Sequence, residues 1–565
     1  SMEGANFLVD YYLKDKNNPF ETVFALNEYD NGLFYPTKNP KTPRFAHDLF
    51  SFKWMNKEKY KAFDDNIRAY YGEYIAFYYA FLTHYIQSFL PMVIIGFIWF
   101  IVQLGAGTIS VGGSTFYVLI CILWSTVLIE TWYRREAALK YKWGMVRYKE
   151  TAVPRPTFKG KIAISEYNGD LIEDHKSIIR YWLRVTFSLS SMVLCISVVI
   201  VCVAGIWYLK RLWKNDPGYK MAVGIINSIQ IQVFNFLYNK LAYALNEFEQ
   251  HRLVEDYYNH LVIKRVIFMV VNSFNSLFYM AFYDDSYENN EQRLNSLRIQ
   301  LITLFMVNVI LMNALEVTIP QIPGWIRAYK KRKAAKDEGN DENLPKDVEA
   351  AVHVPHMSDM EINLADPEGE LSDARYTGGL EPTIILDIED QVNRPKNKST
   401  LDNFAEVVIL HGYIIMFAIV LPIMPLFAYA NSVVEIRVDA YGLINSQRPF
   451  PLGADGIGVW RAVLSIFNTI AIFSNMAVIA YDTDLPEVVL GLNISGKIVW
   501  YFIICLFMLI TMVSVRMVLP NESLETGKSM ARQEQCENLV TLLQDSNPNR
   551  DVSNVGQRKQ LKKVE

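Results

Sequence analysis

The sequence predicts an all-α polytopic membrane protein, with ten transmembrane helices and a small N-terminal cytosolic domain. Three observations carry that expectation. Mainly apolar segments of the length that crosses a bilayer core, about 20 residues, recur along the chain. Hydrophobic residues fill 51% of the 565 positions and charged residues only 20%, where soluble proteins carry about 25% charge. Mean hydropathy is +0.10 although long polar tails are included. Finally, basic clusters and acidic loops alternate between the apolar segments, which gives the spans a consistent orientation.

Residues 1–73 mix aromatic and charged side chains and read as the N-terminal domain. Spans one to six occupy 74–330, at 74–101, 114–133, 181–208, 219–245, 261–283 and 297–323. The acidic, aperiodic stretch 331–402 reads as a largely disordered cytosolic linker. Spans seven to ten occupy 403–520, at 404–421, 423–443, 458–481 and 497–519. Pro422 and Pro425 separate the seventh from the eighth, since proline interrupts a helix. The cytosolic tail 521–565 is polar, with a weak helical pattern at 529–543.

Orientation follows the basic residues. Arg134, Arg135, Lys140, Lys142 and Arg147 follow the second span, and Lys330, Lys331, Arg332, Lys333 and Lys336 follow the sixth. Acidic residues fill the loops after the fifth span (Asp284, Asp285, Glu288, Glu291) and the ninth (Asp482, Asp484, Glu487). Both termini are then cytosolic. Lys210, Arg211 and Lys214 after the third span dissent, and the regularity of the other signals outweighs them.

The composition excludes several classes. Lys and Arg number 55 against 59 Asp and Glu, a net charge of −4, and the pI is near 6.1. No nucleic-acid partner is expected from such a balance. Aromatic residues at 13% exclude disorder of the whole chain. The cysteines Cys121, Cys195, Cys202, Cys505 and Cys536 form no C-x-x-C pair, so neither a cysteine zinc site nor a disulfide framework is expected. The first strongly apolar run begins near Tyr74, too late for a cleavable signal peptide. There is no Walker A glycine loop and no nucleophile–base constellation, so an enzyme is not expected.

Polar residues inside spans carry the functional information. The third span holds Thr186, Ser190 and Ser197. The fourth holds Ser228, Gln232, Asn235 and Asn239, spaced so that all share one helical face. The fifth holds Asn272, Ser276 and Tyr279 on one face. Interhelical hydrogen bonding explains any single stripe; stripes on consecutive spans suggest the wall of a hydrophilic groove or pore. Carboxylates also fall in or beside spans: Glu316 in the sixth, Glu406 in the seventh, Glu435 and Asp439 in the eighth. Glu435 and Asp439 are four apart and share a face, while Arg437 points about 200° round the helix. Pairing with Arg or Lys is the plain alternative. Acids gathered from sequential spans favour a shared cation, and hard oxygen ligands without His or Cys suit calcium.

Several ordered blocks carry a family resemblance, from about Ile67 to about Gln544. They are IRAYYGEYIAFYYAFLTHY, LIETWYRREAALKYKWG, LAYALNEFEQHR, NHLVIKRVIFMVVNSFNSLFYMAFY, VVEIRVDAY and RPFPLGADGIGVW. The chain resembles the anoctamins, calcium-activated chloride channels and phospholipid scramblases. The resemblance implies a homodimer, a groove in each subunit walled by the third to seventh spans, and calcium between the sixth, seventh and eighth. Its ligands, carried over by position, are Glu316, Glu406, Glu435 and Asp439. Asn403 stands where the family usually has a second acid on the seventh span. Met312 replaces a ligand Asn on the sixth, with Asn313 adjacent, and Met306 replaces a glycine hinge. Weak calcium binding follows, with one ion per subunit or partly calcium-independent activity. A further family site implies Glu130 on the second span, paired with Asn521 where an acid is usual, or with Glu522 or Glu525.

A calcium-regulated scramblase, moving phospholipids passively with an accompanying ion leak, is the first functional expectation. A calcium-activated anion or non-selective channel is the alternative. The sixth span has no Lys or Arg between Ile299 and Ile326, and Val307 stands at a basic pore position of channel members. A membrane tether is a third reading, weakened because the tail lacks a long polybasic run. Asn493 begins a glycosylation sequon, Asn493-Ile494-Ser495. Short external loops without cysteine favour the endoplasmic reticulum over the plasma membrane.

Overall fold

The computed structural model describes residues 57–109, 113–146, 157–164, 171–175, 177–212, 217–284, 289–307, 400–482 and 494–545, with isolated positions between them. Most of the N-terminal domain, the linker as far as 399, Glu316 and Asn493 lie outside the described residues. The elements are α1 (Lys57–Tyr71), α2 (Glu73–Ala106), α3 (Ser114–Lys142), β1 (Lys161–Ile164), β2 (Leu171–Asp174), α4 (Ile178–Leu212), α5 (Pro217–Glu249), α6 (Val254–Phe282), α7 (Asn290–Val307), α8 (Thr400–Ile415), α9 (Met424–Asn445), α10 (Trp460–Ala477), α11 (Ile494–Val518) and α12 (Leu524–Asp545). A π-helical turn, Val478–Asp482, continues α10.

Within the described residues, helices fall in the regions of the expected spans, α7 reaching only Val307 of 297–323 and α8 only Ile415 of 404–421. Six of these helices are long and apolar enough to cross a membrane: α2, α3, α4, α6, α10 with its π turn, and α11. The helices α5, α7, α8 and α9 are shorter or more polar within the described residues. The apolar faces behave as lipid-facing surfaces should. On α4, Leu183, Leu194 and Val201 are exposed, and on α11 so are Phe502, Ile503 and Leu506. Such exposed apolar area is abnormal in water and ordinary in hydrocarbon.

Two local features depart from the all-α expectation and its boundaries. β1 and β2 form an antiparallel hairpin, pairing Lys161 with Asp174 and Ile164 with Leu171. Ile162, Ile164 and Ile172 supply the β-branched side chains that favour strands. The second departure concerns the seventh span. α8 stops at Ile415, ahead of Pro422, and residues 416–423 run as buried turns. A buried turn must have its carbonyls satisfied. Gln103 Nε2 donates to the Ile419 carbonyl at 3.0 Å, and Arg298 Nε to that of Val420 at 2.8 Å. Arg298 Nη2 also donates to Gln103 Oε1 at 2.6 Å, locking the two together.

The chain divides into two compact units. The first comprises residues 1–109 and 298–453. Here α9 packs along α2, and α1 folds back on α2. The α1–α2 corner is Gly72, at φ 85°. A Cβ there would sit 2.9 Å from the backbone N and O of Leu452, so glycine is required both by conformation and by space. Tyr74 N donates to the Leu452 carbonyl at 3.0 Å, and the Arg448 guanidinium lies 3.8 Å above the Tyr70 ring.

The second unit comprises residues 110–297 and 454–565. α4, α5 and α6 pack as one group, and α3, α10 and α11 as another. Gly456, at φ 137°, lets the chain lie against α3, where any side chain would collide with the Glu136 carboxylate. That carboxylate accepts the Ile457 N–H at 2.7 Å.

Candidate functional site

In the first unit the α9 acids form the centre of a polar cluster. Four residues advance an α-helix by about 400°, a little over one full turn. Asn431, Glu435 and Asp439 therefore line one face of α9. Glu435 is 5% exposed and Asp439 4%. The Tyr78 hydroxyl, on α2, donates a short hydrogen bond to Asp439 Oδ2. From α8, Asn403 Nδ2 donates to Asp439 Oδ1 at 3.0 Å. Glu406 lies three residues beyond Asn403 and is half-buried, so the same side of α8 carries both. Asn313 Nδ2 donates to Asn431 Oδ1 at 3.1 Å, which ties the sixth-span segment to this face. Glu316, expected beside it, lies outside the described residues.

Arg437 turns away: its Nη1 donates to the Val433 carbonyl of its own helix at 2.6 Å. The cluster is thus rich in oxygen donors. Asn403 Oδ1 is buried and has no hydrogen-bond partner among the described residues. An orphaned buried carbonyl oxygen costs about 1–3 kcal/mol, and it is a ligand type that calcium accepts. The residues present fit a hard divalent cation. Tyr78 and Asn431 were not expected from the sequence. Asn431 had a signal, the spacing of four that continues Glu435 and Asp439. Tyr78 had none, because its partner is 361 residues away.

The polar stripes of α5 and α6 interlock. Asn227 Nδ2 donates to Ser276 Oγ at 3.0 Å, and Gln230 Nε2 to Asn272 Oδ1 at 3.2 Å. Asn272 Nδ2 donates to the Ile231 carbonyl at 2.9 Å and to Asn235 Oδ1 at 2.8 Å. Asn272 and Ser276 are fully buried, and so is Ser228, whose hydroxyl bonds the Gly224 carbonyl at 2.8 Å. Tyr279 stacks on Trp207 with ring centroids 6.1 Å apart. Gln232 and Asn239 are half-buried. On α4, Thr186 and Ser190 are exposed, the Ser190 hydroxyl bonding the Thr186 carbonyl at 2.9 Å. Part of the polar surface therefore holds helices together and part stays open.

Glu130 on α3 is buried, and its Oε1 faces Arg516 Nε of α11 at 3.3 Å. Asn521, Glu522 and Glu525 are exposed. An arginine beside Glu130 already supplies positive charge, so Glu130 is not carried into the cation set proposed below.

The anoctamin family profile, described as a calcium-activated chloride channel, matches residues 67–533. The chain belongs to the anoctamin family. It is 27% identical to anoctamin-10 of Mus musculus over 464 residues, which cover 78% of this chain and 62% of that protein. With anoctamin-7 of Homo sapiens the identity is 24%, over 81% of this chain and 54% of the relative. With anoctamin-3 of Mus musculus it is 23%, over 83% and 51%. The anoctamin chain described here thus spans about three fifths, or less, of the length of these relatives. Family and apolar helices together establish an integral multi-pass membrane protein.

Proposed function

We propose that this anoctamin is a calcium-regulated phospholipid scramblase. Lipids cross passively in both directions through a membrane-facing hydrophilic groove, with ions leaking alongside. The observation that carries the regulated part is the buried oxygen cluster of Asn403, Glu435 and Asp439, with Asn403 Oδ1 unsatisfied. Glu406 and Glu316 complete the proposed ligand set. A bound Ca²⁺ supplies the positive charge that lets such carboxylates sit together in a low dielectric, which is otherwise unfavourable by several kcal/mol. The chain's own residues set the threshold. Tyr78 and Asn403 hold the two Asp439 oxygens with neutral donors, so the acid is stabilised before any cation arrives. Ligation must displace or share those donors, which supports weak calcium binding.

The exposed Thr186 and Ser190 of α4 and the half-buried Gln232 and Asn239 of α5 are the proposed headgroup path. Asn235, Asn272 and Ser276 fix the helix pair behind it. Ten spans, cytosolic termini, a homodimer and residence in the endoplasmic reticulum or plasma membrane belong to the same proposal. An anion or non-selective channel is the second reading, favoured by the family's description. Against it stand the sixth span without Lys or Arg after Arg298, and the engagement of Arg298 with Gln103 and the Val420 carbonyl.

The test is reconstitution into liposomes, with fluorescent-lipid scrambling and ion flux measured together across free calcium. Calcium-stimulated scrambling is expected. Ion flux without scrambling at any calcium concentration would replace this reading with the channel.

A further inference from the structure

The second unit contains a cluster of metal-ligating side chains that the transport reading does not use. α5 ends at Glu249, and Gln250 follows with φ 57°, the left-handed conformation that terminates helices. For a non-glycine residue that conformation is uncommon and has to be held by its surroundings. Gln250 holds it with Nε2 donating to the Glu247 carbonyl at 2.9 Å. The reversal turns His251 back onto the helix end, where its Nε2 lies 2.6 Å from Glu249 Oε2. His260, in the second turn of α6, brings Nδ1 to 3.9 Å from the same oxygen. The two imidazole rings lie 4.3 Å apart, centre to centre.

We propose that Glu249, His251 and His260 form a binding site for a borderline divalent transition-metal ion, of which Zn²⁺ is the fitting member. One ligand atom from each of the three lies within 4.8 Å of the others. Tetrahedral zinc with bonds of about 2.0–2.1 Å needs ligand atoms roughly 3.3 Å apart. The existing separations of 2.6 and 3.9 Å straddle that value, so small side-chain adjustments close the site. Two imidazoles and one carboxylate suit zinc and disfavour calcium, which takes oxygen. Glu249 and His251 are buried, whereas the His260 side chain is 39% exposed. The open side faces His260 and leaves room for a fourth ligand such as water. His251 Nδ1 lies 3.4 Å from the Tyr181 hydroxyl of α4. Metal at Nε2 places the ring proton on Nδ1, where Tyr181 accepts it, an outer partner of the kind that orients ligating histidines.

Lys264 is the competitor. Its ammonium makes a short ion pair with Glu249 Oε1 and donates to Asn246 Oδ1 at 2.8 Å. It occupies the carboxylate oxygen that does not face the histidines, and its positive charge opposes the metal. A metal bound here would pin the α5–α6 corner and, through Tyr181, the start of α4.

The test uses the full chain in detergent, without a histidine tag, stripped with EDTA and equilibrated with low-micromolar ZnCl₂. Bound zinc is counted by elemental analysis, and Co²⁺ substitution is followed by visible absorption. One zinc per chain, resistant to excess Ca²⁺, and a four-coordinate Co²⁺ spectrum are expected. His260→Ala, at a half-exposed position that folding tolerates, should lose that zinc and that spectrum. Tyr181→Phe should weaken binding by about 10-fold. Lys264→Met should lose thermal stability and regain it on adding zinc. No zinc in the parent, or an undiminished equivalent in His260→Ala, would overturn the site. So would a Lys264→Met protein indifferent to zinc. None of these readouts depends on lipid or ion transport.

Discussion

The two units hold buried acids with different kinds of neighbour. In the second unit Glu249 meets the ammonium of Lys264, while Glu130 and Glu136 face Arg516 and Arg461 at 3.3 and 3.6 Å. In the first unit, the Tyr78 hydroxyl and the Asn403 amide that hold Asp439 are neutral. A carboxylate matched by a cation of the protein is part of the framework. A carboxylate that accepts hydrogen bonds from neutral groups can still take a cation as a further partner. On the proposed reading the first set is structural and the second regulatory, although Glu130, Glu136, Glu249, Glu435 and Asp439 are all buried.

The most severe way to break that comparison is Glu249→Gln. It leaves the Lys264 ammonium, 2% exposed, without its counter-charge. Removing one member of a buried pair costs about 3–5 kcal/mol. Thermal unfolding should show the loss without calcium in the buffer and equally with it. The matched change in the other unit, Asp439→Asn, should behave in the opposite sense. Its stability without calcium should hold, because Tyr78 can still donate to an amide oxygen. Half-activation of scrambling should shift to at least about tenfold higher calcium, equivalent to 1.4 kcal/mol. If Asp439→Asn unfolds the protein and leaves calcium sensitivity intact, the two sets of acids are alike and the assignment fails.

Asn403→Asp sharpens the comparison from the other side. It exchanges the amide donor at 3.0 Å from Asp439 for a second carboxylate. Two charges that close repel without a cation and ligate jointly with one. The variant should melt earlier in EDTA than the parent and later in millimolar calcium, and should activate at about tenfold lower calcium. A melting temperature indifferent to calcium would remove Asn403 from the cation site.

How much of this was legible in the sequence depended on the range of the interaction. Six of the spans were, because about 20 mainly apolar residues in a row state their own environment. Glu435 and Asp439 were, because a spacing of four on one helix is local. The end of α8 was not: proline marked the break at Pro422, but the chain leaves the helix after Ile415, supported by Gln103 and Arg298 from elsewhere in the sequence. The hairpin of Lys161–Ile164 and Leu171–Asp174 was not, because each strand is only four residues long and shows too little alternation to state its own pairing. Tyr78 and the Glu249–His251–His260 cluster were not legible either. One is set by packing of α2 on α9, the other by a left-handed turn at Gln250 that no residue type announces.

The smallest expected effects separate the two kinds of polar residue on α5 and α6. Asn272 donates both to the Ile231 carbonyl and to Asn235 Oδ1, from a fully buried position. Gln232 is half-buried about one turn before Asn235 on α5 and lies on the proposed lipid path. Hydrogen bonds between membrane helices contribute about 0.6 kcal/mol on average and up to about 1.7. Asn272→Leu should therefore lower stability by roughly that amount, and scrambling only in proportion to folded protein. Gln232→Leu should disturb unfolding less than Asn272→Leu does, because Gln232 is half-buried where Asn272 is fully buried. It should instead slow lipid transfer severalfold, since an apolar side chain removes a polar step from the path. The measurement is scrambling rate per folded chain, with unfolding followed in the same samples. Loss of stability in Gln232→Leu with an unchanged rate would make that residue, like Asn272, part of the helix contact, and the groove would have to be sought on α4 alone.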